Sequence, residues 1–141
     1  VIVSSKKLPA RERSCMKASA RDWIAKAEGD FQAATALARL RKAPLHDQVC
    51  FHCQQCAEKY LKARLEEAGR HYPKTHDLEV LLNLILHTEP MWAALLPALR
   101  SLSGFAVEFR YPGNSASPND AAQALTDIRG VRKEIREAFC L

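Results

Sequence analysis

The sequence is short of aromatic residues (7%), and no segment alternates apolar and polar residues long enough for a strand. Together these set aside a β-sandwich and favour an Ala- and Leu-rich helical domain, with 48% apolar residues available for burial. The longest apolar run, Val80 to Leu86, is broken by Asn83 and falls far short of the ~20 residues of a membrane span. At the N-terminus, Val1–Val3 is too short for the apolar core of a signal peptide, and polar and basic residues follow it. Five cysteines, an odd number in no framework spacing, argue against a secreted disulfide scaffold and for a reducing cytoplasm. There is no internal repeat and no low-complexity tract. At 141 residues the chain is expected to form one domain around one core.

The formal net charge is +5. Lys6, Lys7, Arg11 and Arg13, set against Glu12, place much of it in residues 1–15. Met16 then opens Met-Lys-Ala-Ser-Ala-Arg-Asp-Trp, which looks like an ordinary protein start. Residues 1–15 are therefore expected to be a disordered or non-native tail, an upstream extension or a non-Met start, with the domain in 16–141. The basic isoelectric point mostly reports that tail and some surface lysines, and is weak evidence for nucleic acid.

Four or five helices can be placed. Ser19 to Asp22 has the Ser-x-x-acid form of a helix start, followed by Trp23, Ala27, Phe31, Ala34 and Ala38 at helical spacing. Pro44 closes the connection. Asp47 can cap a second helix that runs to about Ala68, with Gly69 just past its end. In Lys74-Thr75-His76-Asp77, Thr or Asp can cap a third helix over Leu78 to His87. After a break at Thr88 and Pro90, Met91, Leu95, Leu99 and Leu102 form another apolar stripe. Residues 104–118 hold the least regular stretch, Arg110-Tyr-Pro-Gly-Asn-Ser-Ala-Ser117. Ser117-Pro118-Asn119-Asp120 supplies a cap, a first-turn proline and an acid for a last helix reaching about Phe139. Its buried stripe is expected at Ala121, Leu125, Ile128, Val131/Arg132 and Ile135. Long helices with short connections give an all-α, antiparallel up-and-down bundle.

The second helix carries Cys50, Cys53 and Cys56 at a spacing that suggests an iron–sulfur loop. Such a loop needs irregular backbone, whereas residues 48–68 hold neither Gly nor Pro. On a helix Cys50 and Cys56 lie ~9 Å apart along the axis, too far for a disulfide. The three thiols are therefore expected to be small buried apolar groups, with no metal and no cofactor. Beside them His52, Gln55, Lys59 and Lys62 form a polar stripe bordered by Glu58 and Glu66. It is either a solvated face or the edge where a ligand or partner helix sits. His76 either orders a helix start or is a functional imidazole. Arg110, followed by Tyr111 and Pro112, is either an internal salt-bridge partner or an anion site in a loop.

The motif Phe51-His-Cys-Gln-Gln-Cys-Ala-Glu-Lys-x-Leu-Lys-Ala63, then Lys74-Thr-His-Asp-Leu78, then Arg110-Tyr-Pro112, resembles the HEPN domain family (higher eukaryotes and prokaryotes nucleotide-binding). Trp23-x3-Ala-Glu-x-Asp-Phe-x-Ala-Ala34 fits as well, so the resemblance covers essentially all of 16–139. It implies a helical bundle, a homodimer, and pairing with a minimal nucleotidyltransferase in a toxin–antitoxin-like module. Small residues such as Ala at the positions of Cys53 and Cys56 are common in that family. Its catalytic members are metal-independent ribonucleases with an Arg followed four to six residues later by His, the imidazole handling the 2′-OH proton and the guanidinium the charge at phosphorus. Arg110 matches the Arg, but no His follows it, and Asn114 cannot act as a base. The sequence thus implies a non-catalytic nucleotide- or partner-binding module using His52, Gln55, Glu58, Lys59, His76, Arg110 and Tyr111. The alternatives are an endoribonuclease pairing Arg110 with His76 or His52, and a purely structural dimerisation module.

Overall fold

A computed structural model describes residues 16–141, so the expected tail lies outside the described residues. Among the described residues five α-helices follow in order: α1 (Ala18–Ala38), α2 (His46–Ala68), α3 (Leu78–Ile85), α4 (Leu96–Glu108) and α5 (Pro118–Phe139). A 3₁₀ turn, Pro90–Leu95, leads into α4, and there is no strand among the described residues.

Helix α2 is the centre of the bundle and packs against all four others. Most of its side chains are buried, among them Val49, Tyr60, Leu61 and Leu65 as well as the three cysteines. Helix α1 lies against it with Ala20, Ala27 and Ala34 fully buried, a seven-residue repeat whose small side chains let two helix backbones approach. The two run antiparallel: the Lys17 backbone N–H donates to Glu67 at one end (3.0 Å), and Asp30 meets His52 nearer the other (2.8 Å). Helix α4 is also antiparallel to α2, since Glu89 before it reaches Arg64 while Arg110 beyond its end shares a cleft with Asp47 and Phe51. Helix α5 runs parallel to α2, anchored where the Ala116 N–H donates to Asp47 (2.6 Å). This is the expected up-and-down order, with α3 as an added short helix. Trp92, Leu99, Leu102, Ile128 and Phe139 complete the core.

Several helix ends follow local chemistry. Ser117 and Asp120 form a full capping box at α5, and Asp77 caps α3 by accepting from the Glu79 and Val80 N–H groups. Gly69 closes α2 in the left-handed region (φ 67°), as its position implied. Other ends differ from expectation. Helix α1 begins at Ala18 without a side-chain cap, and the Ser19 hydroxyl donates to Glu66 instead (3.1 Å). Asp47 does not cap α2, because its carboxylate is spent on Ala116. Helix α3 stops at Ile85 rather than His87. Helix α4 continues through Gly104 to Glu108, and the irregular stretch from Arg110 to Ser117 follows it. Met91 leaves the apolar stripe and is 47% exposed, because the 3₁₀ turn rotates it off the core face.

The connection after α2 positions the next functional residue. Residues 69–77 run back along α2, so that His76 lies beside Gln54 and Glu58, and α3 then travels in the direction of α2 towards Glu89 and Arg64. Such parallel neighbours need an extended strap, which Tyr72 fastens midway by donating its hydroxyl to Glu66 (2.7 Å).

Candidate functional site

A groove of about 760 Å³ opens between the first half of α2, the start of α3 and the second half of α4. Phe51, Gln54 and Gln55 come from α2, His76, Asp77 and Glu79 from the start of α3, and Arg100, Ser103, Ala106, Val107 and Arg110 from α4 and its end. This size is typical of small-molecule sites. Phe51 and Val107 give it exposed apolar walls. Its deeper part is polar: Gln54 is almost fully buried and donates to the His76 carbonyl (3.3 Å), while Gln55 donates to Gln54 (2.8 Å). The Ser103 hydroxyl oxygen is buried without a hydrogen-bond partner. Arg100 is held across the groove by Glu79 (2.6 Å), whereas Arg110 forms no ion pair among the described residues.

His76 is built into this groove by a buried acid. Its Nδ1 lies 2.7 Å from a carboxylate oxygen of Glu58, whose side chain is only 5% exposed. The other Glu58 oxygen accepts from Lys62, one turn further on (3.1 Å). A carboxylate only accepts, so Nδ1 carries the proton and neutral His76 presents an unprotonated Nε2. The imidazole itself is largely exposed. It can accept a proton or a hydrogen bond from a ligand there.

The structure divides the polar stripe of α2 in two. Phe51, Gln55, Glu58 and Lys62 share one face, while His52 and Lys59 lie roughly 80° around the helix and face α1. There both bind Asp30: His52 Nδ1 at 2.8 Å and Lys59 through its ammonium. His52 and Lys59 are therefore outside the groove, a correction to the single stripe drawn from the sequence; its i, i+3, i+7, i+10 spacing spans about 80° of arc and straddles two faces. Lys62 is nearly buried between Glu58 and the Trp23 ring (5.4 Å) and is not part of a solvated face. Tyr111 is 63% exposed, beyond the groove. Gln55, His76 and Arg110, from three separate segments, are brought together.

A third acidic hub ties α1, α2 and α5. Glu28 accepts from Tyr60 (2.6 Å), Arg132 (2.9 Å) and Arg136 (3.2 Å). Burial pushes its carboxyl up, but hydrogen bonds from Arg132 and Tyr60, with the Arg132 charge and Arg136, outweigh it, and the net shift is downward. Arg132 also covers the Phe31 ring (4.4 Å). Cys50, Cys53 and Cys56 are free, buried thiols; burial pushes Cys50 and Cys53 up to about 12, and Cys56 further up. Among the described residues no set of three or more His, Cys, Asp or Glu side chains is arranged to hold a metal ion. No helix among them is long and apolar enough to cross a membrane.

The sequence reading missed Phe51, Gln54, Arg100 and Ser103 as groove residues. A signal existed for Phe51, which lies seven residues before Glu58 and so on the same face of α2. Arg100 and Ser103 gave none, because only the packing of α4 on α2 turns them inward.

The described residues form a small all-α bundle with a lateral groove between α2, α3 and α4, its helices tied together by Glu28 and Asp30 of α1 and Glu58 of α2. The model of the HEPN domain matches residues 20–138, and the chain belongs to that family. Comparison with curated proteins and with solved structures gave no match.

Proposed function

We propose that this HEPN-domain protein binds a nucleotide or a short stretch of RNA in the α2–α4 groove. The observation that supports it is the convergence of Gln55, His76 and Arg110 on one cavity with Phe51 at its wall. Arg110 is the phosphate ligand, Phe51 the stacking surface for a base, and Gln54 and Gln55 the amides that meet polar ligand edges. We place the protein as a homodimer beside a minimal nucleotidyltransferase in a toxin–antitoxin-like pair, a reading supported by family membership. An adjoining nucleotidyltransferase reading frame is the direct observation for that partner.

Calorimetric titration with AMP, ATP, GTP and short oligoribonucleotides tests the site. Arg110→Ala is expected to weaken binding by roughly 10- to 100-fold, the worth of a charge-assisted hydrogen bond. His52→Ala, outside the groove, is expected to leave the site intact. Absence of heat with every ligand would overturn the proposal and leave a structural dimerisation module.

The Glu58–His76 pair favours a second reading, a metal-independent endoribonuclease. Here Nε2 of His76 takes the 2′-OH proton as the 2′-oxygen attacks phosphorus, the bond to the 5′-oxygen breaks, and that oxygen leaves with a proton from water, giving a 2′,3′-cyclic phosphate; Glu58 positions the ring and Arg110 stabilises charge at phosphorus. Cleavage of RNA in EDTA that is lost in His76→Ala, and reduced in Glu58→Gln with its pH profile shifted, supports this reading. Binding without any cleavage refutes it.

A further inference from the structure

The α1–α2 connection, Arg39-Leu-Arg-Lys-Ala-Pro-Leu45, is exposed along its whole length, although it carries two leucines and three cations. Leu40 is 44% exposed and Leu45 38%. None of Arg39, Arg41 or Lys42 forms an ion pair among the described residues, and the segment contains no acid. Arg39 lies where a cation complements the negative end of α1, but that effect fades within a turn and does not account for Arg41 and Lys42. Ala43 holds a left-handed backbone (φ 49°) immediately before Pro44. A residue with a Cβ is held there in a loop that buries no side chain of its own, so the strained turn fixes the loop's shape rather than filling the core.

We propose that this loop is a docking element for an acidic protein surface whose carboxylates alternate with aliphatic side chains. Charge complementarity fixes the sign of the partner, and Leu40 and Leu45 fix its apolar component. Two competing anionic partners fit less well. Single-stranded RNA is held through aromatic stacking, and the loop has no aromatic residue. Anionic membranes are bound by clusters of about four to eight basic residues, against three here. The turn set by Ala43 and Pro44 lowers the ordering cost of docking. The site is separate from the α2–α4 groove and does not depend on its ligand.

The test uses the full chain and three probes: a helical peptide with Glu and Leu on one face, oligouridylate, and mixed phosphatidylserine–phosphatidylcholine vesicles. The peptide is expected to bind, and the triple variant R39E/R41E/K42E to lose about tenfold or more in affinity. Leu40→Ser with Leu45→Ser is expected to lose several-fold, as is a peptide whose leucines are replaced by serine. All these positions are exposed, and thermal melts matching the parent show that the variants fold. Three results overturn the proposal: no peptide binding, peptide binding indifferent to the leucines, or oligouridylate or vesicle binding that alone depends on the loop.

Discussion

Replacing Glu28 by Gln isolates the charge that joins three helices. The carboxylate receives two guanidinium contacts and one phenol, and its side chain is 23% exposed. Gln preserves the volume and one acceptor oxygen but offers no charge and adds an amide N–H facing two arginines. Each charge-assisted bond exceeds its neutral equivalent by about 1 kcal/mol, and the partial exposure of Glu28 and of its two arginine partners, though not of buried Tyr60, removes part of that. A net loss of about 2 kcal/mol is expected at pH 7. For a domain of this size that is roughly 5–10 °C in Tm. The pH dependence makes the test stringent. Glu28 is shifted below 4.5 in the folded chain, so its contribution is fully present above that pH and is lost as pH falls through the lower folded value. Parent and variant melts should therefore be well separated at pH 7 and converge in the acid range. Parallel pH profiles, or no separation at pH 7, would refute the assignment of Glu28 as a charged hub.

Gly130 lies within α5 and Gly29 within α1, and at neither would an added Cβ meet any atom within 4 Å. Gly130→Ala and Gly29→Ala are each expected to stabilise the fold by about 0.5–1 kcal/mol, read as a raised denaturant midpoint with unchanged slope. Of the four described cysteines only Cys140 is exposed, so native-state alkylation at neutral pH should label it and spare Cys50, Cys53 and Cys56. The raised Cys50 and Cys53 values also imply stability intact below about pH 9 and declining as pH rises towards about 12. Asp77→Ala removes the α3 cap at a cost of about 1 kcal/mol, and calorimetry should show weaker groove binding because the cap adjoins His76.

The helical architecture was legible because it rests on local signals: the Ser117–Asp120 cap, Gly69, Pro44 and the apolar stripes each act within a turn or two. Family membership was legible for the same reason, since its motifs are short and ordered along the chain. Partner choice was not. Ser19 and Asp47 have good capping chemistry, yet each bonds elsewhere, Ser19 to Glu66 and Asp47 to Ala116. Those partners lie 47 and 69 residues away and exist only after packing. The site shows the same limit. His76, Arg110 and Glu58 could be singled out from the sequence, but not the pairing by which Glu58 orients His76. Glu58 becomes informative once residues 69–77 fold back along α2.

The central position of α2 has a consequence for motion. Because α1, α4 and α5 all close over it, its middle amides can exchange with solvent only when the whole bundle opens, and should be the slowest of the molecule. The groove's other wall is less restrained: α3 has two turns, and the exposed Arg100–Glu79 pair ties it to α4 across the groove. Breathing of the molecule is thus expected to be one-sided, with a stationary wall carrying Phe51, Gln55 and Glu58 and a yielding wall carrying His76 and Glu79. A ligand would find its stacking surface already in place and draw the imidazole side in around it.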